Sequence, residues 1–310
     1  MSRNRGTAVA TALLVAALAA AGCGLGPGAS VGGVELTVTR EFGSVPMLSD
    51  AVEANESDTV MRVLEGSAKI TTRYGGGYVQ SINGVEEGEH GGRPYDWFFY
   101  VDGVESPIGA ADSALRGNER IWWDYRDWSA TNHVPAVVGS WPAPFTDGYE
   151  GKRHPVVVEC EGGGEACAQT RGALEDAGVT IAGGSPAGAI RVLVGPWARL
   201  RADPAAALLE AGPAESGIYA DFEPDGGAGR GEYELVGLDP AGEPSHRFGP
   251  GAGLVAATRR YAGPPVWLVT GGSSAGVQAA AGLLDTAKLR DHYAVASEDG
   301  KETPLPVLVR

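Results

Sequence analysis

The residues of this chain best suited to chemistry are a serine turn, three cysteines and a scatter of acids. Gly272-Ser273-Ser274-Ala275-Gly276 has the G-x-S-x-G spacing of a nucleophile elbow, between an expected strand and an expected helix. Asp285, Asp291 and His292 follow in acid-before-base order. A serine hydrolase at Ser274 would need an imidazole at the hydroxyl and an acid behind it. Asp291 and His292, however, are neighbours at the expected start of a strand, so their side chains diverge. Only 36 residues follow Ser274, and no oxyanion-hole motif stands upstream. The same turn mimics a nucleotide-binding loop but lacks an acidic ribose partner about 20 residues on. The simpler expectation is a strand-to-helix turn with Ser273 or Ser274 as the helix cap.

Glu86-Glu87 and the pair Asp221 and Glu223 read as solvated acids, although the latter two share a strand face that would suit a cation. His90 stands alone among acids, and no HExxH, DxDxDG or Cys–His array is present. No catalytic residue and no metal ligand are therefore expected: the chain reads as a binding protein, not an enzyme. Cys160 and Cys167 close a short loop with three glycines between them, which favours a disulfide over a two-cysteine metal site. The third, Cys23, follows a basic start (Arg3, Arg5), a short apolar run from Thr11 to Ala20, and Ala20-Ala21-Gly22. That order reads as a signal segment over 1–22 and resembles a bacterial lipobox, with Ala20 where leucine is preferred. Cys23 is then the lipidation site, residues 23–33 a glycine-rich tether, and the body a soluble one held at the extracytoplasmic face of the cell membrane. The apolar run falls short of the ~20 residues a membrane span needs.

Removing Arg3 and Arg5 with the signal takes the formal charge from −15 to −17, and no lysine or arginine run remains. Nucleic acid and anionic head groups are poor partners for such a surface. Glycine and proline make up about a fifth of the chain, below the ~25–30% of disordered sequences. After the signal, the length suggests two domains.

The elements that must position any site centre on 97–128, which holds eight of the 23 aromatic residues. Trp97 to Val101 is β-prone and stops at the turn dipeptide Asp102-Gly103; Ile121 to Tyr125 returns. Period two puts aromatics on both faces of this hairpin, so either both faces are covered or one edge is a binding platform. Around it, Val34 to Thr39, Ala68 to Arg73 and Tyr78 to Ile82 read as strands, and Thr59 to Leu64 as a helix capped by Ser57 or Asp58 and stopped by Gly66. Glu86 to Pro94 reads as a loop. A proline-rich strap over 129–155 follows, with Trp141 and Phe145 as anchors.

Residues 156–310 alternate strands and helices. Strands are expected at Val156 to Cys160, Ile190 to Val194, Tyr219 to Glu223, Tyr233 to Leu238, Pro265 to Thr270 and, closing the chain, His292 to Ala296. Helices are expected at 165–177, 204–210, 254–260 and 275–284. Two strand–helix pairs, beginning at Val156 and Val266, hint at two similar halves. The fold class is α+β and multidomain, a small β-rich domain (34–128) followed by an α/β domain (156–310).

One combination goes further. Tyr74-Gly75-Gly76-Gly77-Tyr78, the strand end Ser81-Ile82-Asn83-Gly84, the tryptophan-led strand at Trp97 and the loop Gly109-Ala110-Ala111-Asp112 occur in this order. Together they resemble the C-terminal β-domain of transcobalamin and intrinsic factor, the transcobalamin-like C-terminal domain family (DUF4430). The resemblance covers about residues 34–128. It implies a lid-like domain that closes over cobalamin held against a helical barrel, which this chain lacks. It also places the loops 74–78 and 107–112 toward the ligand. Tyr74, Gly75, Gly77, Tyr78, Trp97, Pro107 and Ile108 are then the expected contacts. Tyrosine rings would stack, hydroxyls would reach amides, and Pro107-Ile108 would form an apolar ridge, while Trp97 suits the core equally well. No covalently held cofactor is implied; cobalamin or a related corrinoid is the expected ligand, and a membrane transporter or helical-barrel protein the expected partner. The alternative is a cell-envelope adhesion or protein-interaction module without a small-molecule ligand.

Overall fold

The computed structural model describes residues 28–162, 164–224 and 233–308. The signal segment, Cys23 and the start of the tether lie outside the described residues.

The first domain is built on one mixed sheet. Strands β1 (Ser30–Arg40) and β2 (Val45–Asn55) form a hairpin, and helix α1 (Val60–Ser67) follows. Three short strands, β3 (Ile70–Arg73), β4 (Tyr78–Ile82) and β5 (Val85–Glu86), make a small antiparallel sheet of their own. Then come β6 (Gly88–His90), β7 (Arg93–Val101), β8 (Val104–Glu105) and β9 (Arg120–Asp127). The main sheet runs β2-β1-β9-β7-β6, with β8 paired to β7 and with β1 parallel to β9. The cap of α1 is Thr59, one residue beyond the expected pair: its side chain accepts from Arg62 N, and Gly66 lies inside the helix. The stretch expected as a loop at 86–94 contains β6, because Gly91 and Gly92 turn the chain back for His90 to pair with Arg93.

The β7–β9 pair sets Trp97 opposite Tyr125, Phe99 opposite Trp123 and Tyr100 opposite Trp122. Both faces are covered. Trp97, Trp123 and Tyr125 join the core beneath α1 and the small sheet, with Leu36, Leu64 and Ile82. Tyr100 and Trp122 face the second domain and pack with Tyr293, Tyr219 and Phe248. Phe42, at the β1–β2 turn, is the wedge between the domains. It meets Tyr219 edge-on at 5.2 Å and Tyr293 at 5.1 Å. A Cβ on the next residue, Gly43, would lie 1.7 Å from Asp291 O, so only glycine allows this close approach.

Polar groups accompany the apolar seam. Asp124, fully buried, accepts from Thr39 Oγ1 (2.6 Å), Gly43 N (3.1 Å) and Tyr293 Oη (3.1 Å). Burial pushes its carboxyl up to about 6 against these hydrogen bonds. Arg126 stacks its guanidinium 3.8 Å from the Phe98 ring centre. At the seam's edge, Arg120 binds Asp291 at 2.5 Å and Arg290 binds Glu35, so the two domains exchange charges.

The strap carries a single helical turn, α2 (Ala143–Thr146), and buries Trp141 and Phe145 against Trp267. The second domain continues with β10 (Val156–Cys160), α3 (Gly164–Asp176), β11 (Ile190–Pro196), α4 (Trp197–Leu200) and a 3-10 turn at Ala206–Ala211, where a longer helix was expected. Then follow α5 (Pro213–Ser216), β12 (Ala220–Pro224), β13 (Tyr233–Leu238), β14 (Pro244–Arg247), β15 (Gly253–Arg259), β16 (Pro265–Gly271), α6 (Ser274–Ala281), α7 (Thr286–Leu289), β17 (Ala294–Glu298) and β18 (Lys301–Leu305). Its main sheet is β10-β11-β16-β15-β17-β18, parallel in the first three strands, and β12-β13-β14 form a separate sheet. Both strand–helix pairs noted in the sequence lie in the one main sheet.

Two expectations fail here. Residues 254–259 lie in a strand, not a helix, and Arg260 follows its end. Every residue of β15 is buried; it pairs with β16 along its whole length and with β17 over Gly253–Val255, and that tertiary pairing overrides the helix preference of Leu254, Ala256 and Ala257. The chain also does not close at 296, since β18 adds a further edge strand.

Candidate ligand-binding cleft

The glycine loop between β3 and β4 is held open by backbone geometry. Tyr74, Gly75 and Gly76 have φ of 53°, 75° and 98°, and a Cβ on either glycine would meet nothing within 4 Å. A ligand can therefore approach this backbone closely. Tyr74 is 85% exposed, with its ring edge-on to Tyr78 at 6.0 Å.

Tyr78 is anchored rather than free. Its hydroxyl lies 2.6 Å from Glu87 Oε2 and in short contact with Asp96 Oδ2. One phenol proton can serve only one of two carboxylates. Burial, and the negative charge of Glu87, raise the Asp96 carboxyl, so Asp96 is the group disposed to carry a second proton. Arg73 balances Glu87 at 2.6 Å. The hydroxyl ties β4 to β7, and its proton is committed to these carboxylates, which leaves it an acceptor only toward a ligand amide.

The second loop leaves β8. Ser106 Oγ donates to Ile108 O (2.9 Å), Met61 N donates to Ala110 O (3.0 Å), and Asp112 N and Ser113 N both donate to Gly109 O (3.0 Å). These bonds fix the loop against the start of α1. It touches the glycine loop: a Cβ on Gly109 would lie 3.6 Å from Gly77 O. Pro107 is exposed and Ile108 is 51% exposed. The structure thus brings Tyr74, Gly75, Gly77, Tyr78, Pro107 and Ile108 to one end of the domain.

Trp97 does not join them. It is buried, its indole Nε1 donates to Val85 O (3.0 Å), and its ring packs on Tyr125 at 5.1 Å. Its expected place among the ligand contacts is corrected to the core, because it starts on the sheet face that α1 and the small sheet cover.

Beside Pro107 and Ile108 opens a cleft of about 320 Å³ with Val101 and Val104 in its wall. Its far side is Glu150-Gly151 of the strap, fixed by Arg259 to Glu150 (2.8 Å). Sequence reasoning missed these strap residues. Nothing in their type or spacing marks them, and only the packing of the strap brings them there. A larger groove of about 830 Å³ runs along the domain seam past Phe42, Tyr95 and Pro304 and contains none of the expected contacts.

The other candidates resolve locally. Ser273 Oγ donates to Pro250 O (2.7 Å) and accepts from Gly276 N (3.3 Å), capping α6. Asp285 caps α7 through Ala287 N (2.8 Å), and Asp291 pairs with Arg120. No acid–base–nucleophile array forms around Ser274 among the described residues. Glu223 pairs with Arg247 at 2.8 Å. His90 Nε2 lies 2.8 Å from Tyr125 Oη, so it has a partner despite its exposure. Cys160 and Cys167 are joined, with their α-carbons 6.0 Å apart. Among the described residues, no group of three or more His, Cys, Asp or Glu could hold a metal ion, and no helix is long and apolar enough to cross a membrane.

An α1-capped β-domain with its loops gathered at one end is the class that fold and cleft define. Residues 57–127, from just before α1 to the end of β9, match the family described as Domain of unknown function (DUF4430), and this stretch is a DUF4430 domain. No curated protein matches the chain. Among matching solved structures is a proposed metal-binding protein from Ruminococcus gnavus ATCC 29149. It is 10% identical over 31% of this chain and 97% of that chain, with a TM-score of 0.24.

Proposed function

We propose that this chain is a binding lipoprotein, held through Cys23 at the extracytoplasmic face of the cell membrane, whose DUF4430 domain captures cobalamin or a related corrinoid for uptake. One observation carries the reading. Two loops from separate strands meet at Gly77 and Gly109 and leave an open glycine backbone, the Tyr74 ring and the Ile108 side chain facing outward together. A corrin is a broad, largely apolar disc with an amide fringe, and such a surface supplies a ring to stack, an apolar ridge and close backbone approach. The joined Cys160–Cys167 pair supports an oxidising compartment.

The cleft beside Ile108 is at the small end of the ~300–1,000 Å³ range of ligand sites, so it seats an edge of such a disc rather than enclosing it. A helical-barrel protein or membrane transporter would cover the remainder. Protein docking without a small molecule is the second reading, favoured by how far Tyr74 stands out from the surface. Retention of the full chain on cyanocobalamin-agarose, eluted by free cyanocobalamin, tests the first. Passage without retention would leave only the second.

A further inference from the structure

The chain enters the first domain beside the cleft at Ile108. Gly28, the first described residue, lies against Glu56, and Glu56 N donates to Ala29 O (3.0 Å). Val31 then meets Gly117, where a Cβ would come within 1.7 Å of Val31 O, and Asn118 N donates to Gly33 O (2.8 Å). Arg116, one residue before that contact, lines the cleft together with Pro107 and Ile108. Leu115 N donates to Asp58 O (3.2 Å) and Met61 N to Ala110 O (3.0 Å), which holds the stretch between them on the start of α1. The cleft thus borders the point where the chain leaves the domain toward Cys23.

Chain length limits how far that point can stand from an anchor. Five residues lead from Cys23 to Gly28, and fully extended they span no more than about 18 Å. A folded domain of about 100 residues has a radius of gyration near 13 Å, so it is wider than that gap. The opposite end of the domain is the β1–β2 turn, about 33 Å away along the eleven residues of β1. Lipid head groups have little hold on the cleft face. Of the charged residues lining the cleft only Arg116 is basic. Glu105 and Glu150 are paired with His133 and Arg259, and Asp112 and Glu119 add to the negative side. Anionic head groups repel such a rim.

We propose that the cleft face stands toward the membrane and is covered there by an integral membrane protein with a basic extracytoplasmic rim, not by a soluble barrel protein. This rests on the anchor at Cys23 proposed above and is independent of which ligand the cleft takes. A tether so short leaves room beneath the domain for water and small solutes but none for a second folded domain. A protein whose bulk lies within the bilayer needs no such room and can reach the uncovered side of a ligand at Ile108.

Size-selective thiol labelling of the full lipidated chain in phosphatidylcholine vesicles tests this. With Cys160 and Cys167 joined and Cys23 acylated, a cysteine placed at Ala111 or at Ser44, both exposed, is the free thiol that is read. Flotation with the vesicles checks the anchor first: a chain that does not float overturns the anchor, and this inference with it. In floated protein, Ala111→Cys should react with iodoacetamide but lose its reaction with a maleimide carried on a polyethylene glycol chain broader than the gap. Ser44→Cys, at the far end of β1, should react with both reagents. A glycine–serine insertion after Gly24, long enough to admit the polymer, should restore its reaction at residue 111. Ala114→Cys, exposed on the same loop, takes the place of Ala111→Cys if that variant fails to fold. Equal polymer labelling at 111 and 44 overturns the proposal and leaves the anchor standing. Loss of the iodoacetamide reaction at 111 overturns it in favour of the bilayer as the occupant. A longer tether that restores nothing overturns it as well, because the block would not come from the gap.

Discussion

Asp102→Asn isolates what a buried, unpaired carboxylate costs this fold. Asp102 is 2% exposed and occupies the turn between β7 and β8 with φ 51°, a conformation that asparagine also accepts. Its Oδ1 accepts from Arg120 N at 2.8 Å, a bond that asparagine can keep. Burial, and then the charges of Glu119 and Asp147, push its carboxyl up to about 8, against 3.8 ordinarily. Because the folded value is the raised one, the stability linked to this proton is fully present below pH 3.8. It is lost as pH rises through about 8. Each pKa unit is worth about 1.4 kcal/mol, so the loss reaches roughly 4–6 kcal/mol by pH 9. The asparagine variant carries no such proton. Urea unfolding followed by tryptophan fluorescence should find the two proteins within about 1 kcal/mol of each other near pH 4. The variant should gain about 1.4 kcal/mol per pH unit from there to pH 8 and then level off. A difference that stays constant with pH would refute the argument, because it would mean that Asp102 is ionised in the folded protein.

Trp97→Ala should cost about 3–5 kcal/mol in the same assay, as for any large core aromatic; a loss below about 1 kcal/mol would return Trp97 to the surface. Reduction of Cys160–Cys167 in the folded protein should lower stability by about 2.5 kcal/mol, the loop-entropy value for so short a closure, and non-reducing peptide mapping should recover the two cysteines in one linked peptide. Cys23→Ser should move the protein from the membrane fraction to the soluble fraction; release of the unaltered protein without detergent would argue against lipid anchoring.

Much of the first domain was legible because its signals are local. Asp102-Gly103 and Asn83-Gly84 are turn dipeptides, and both form two-residue hairpin turns with positive φ. The alternation at 97–101 fixed which aromatics share a face, but not what covers each face. That depends on Phe42, Tyr219 and Tyr293, which are distant in sequence. β2 leaves little trace in the sequence because it is an edge strand whose exposed side chains carry little alternation, and Pro46 interrupts its start. β15 reads as a helix in the sequence because a strand buried on both faces shows no period of two. In the cleft, the loop residues were legible from glycine and tyrosine spacing. The Tyr78–Asp96–Glu87 contact and the wall at Glu150 were not, because each joins segments that only the tertiary fold brings together.

The central claim is that Tyr74 and Ile108 belong to a ligand surface, not to the core. The most direct measurement is a spectroscopic titration of cyanocobalamin with the double variant Tyr74→Ala/Ile108→Ala, paired with urea unfolding of the same preparation. With side chains 85% and 51% exposed, their removal should cost the fold no more than about 1–2 kcal/mol while cyanocobalamin binding falls below detection. Binding that persists in the folded variant would contradict the claim, and so would loss of binding only because the domain has unfolded.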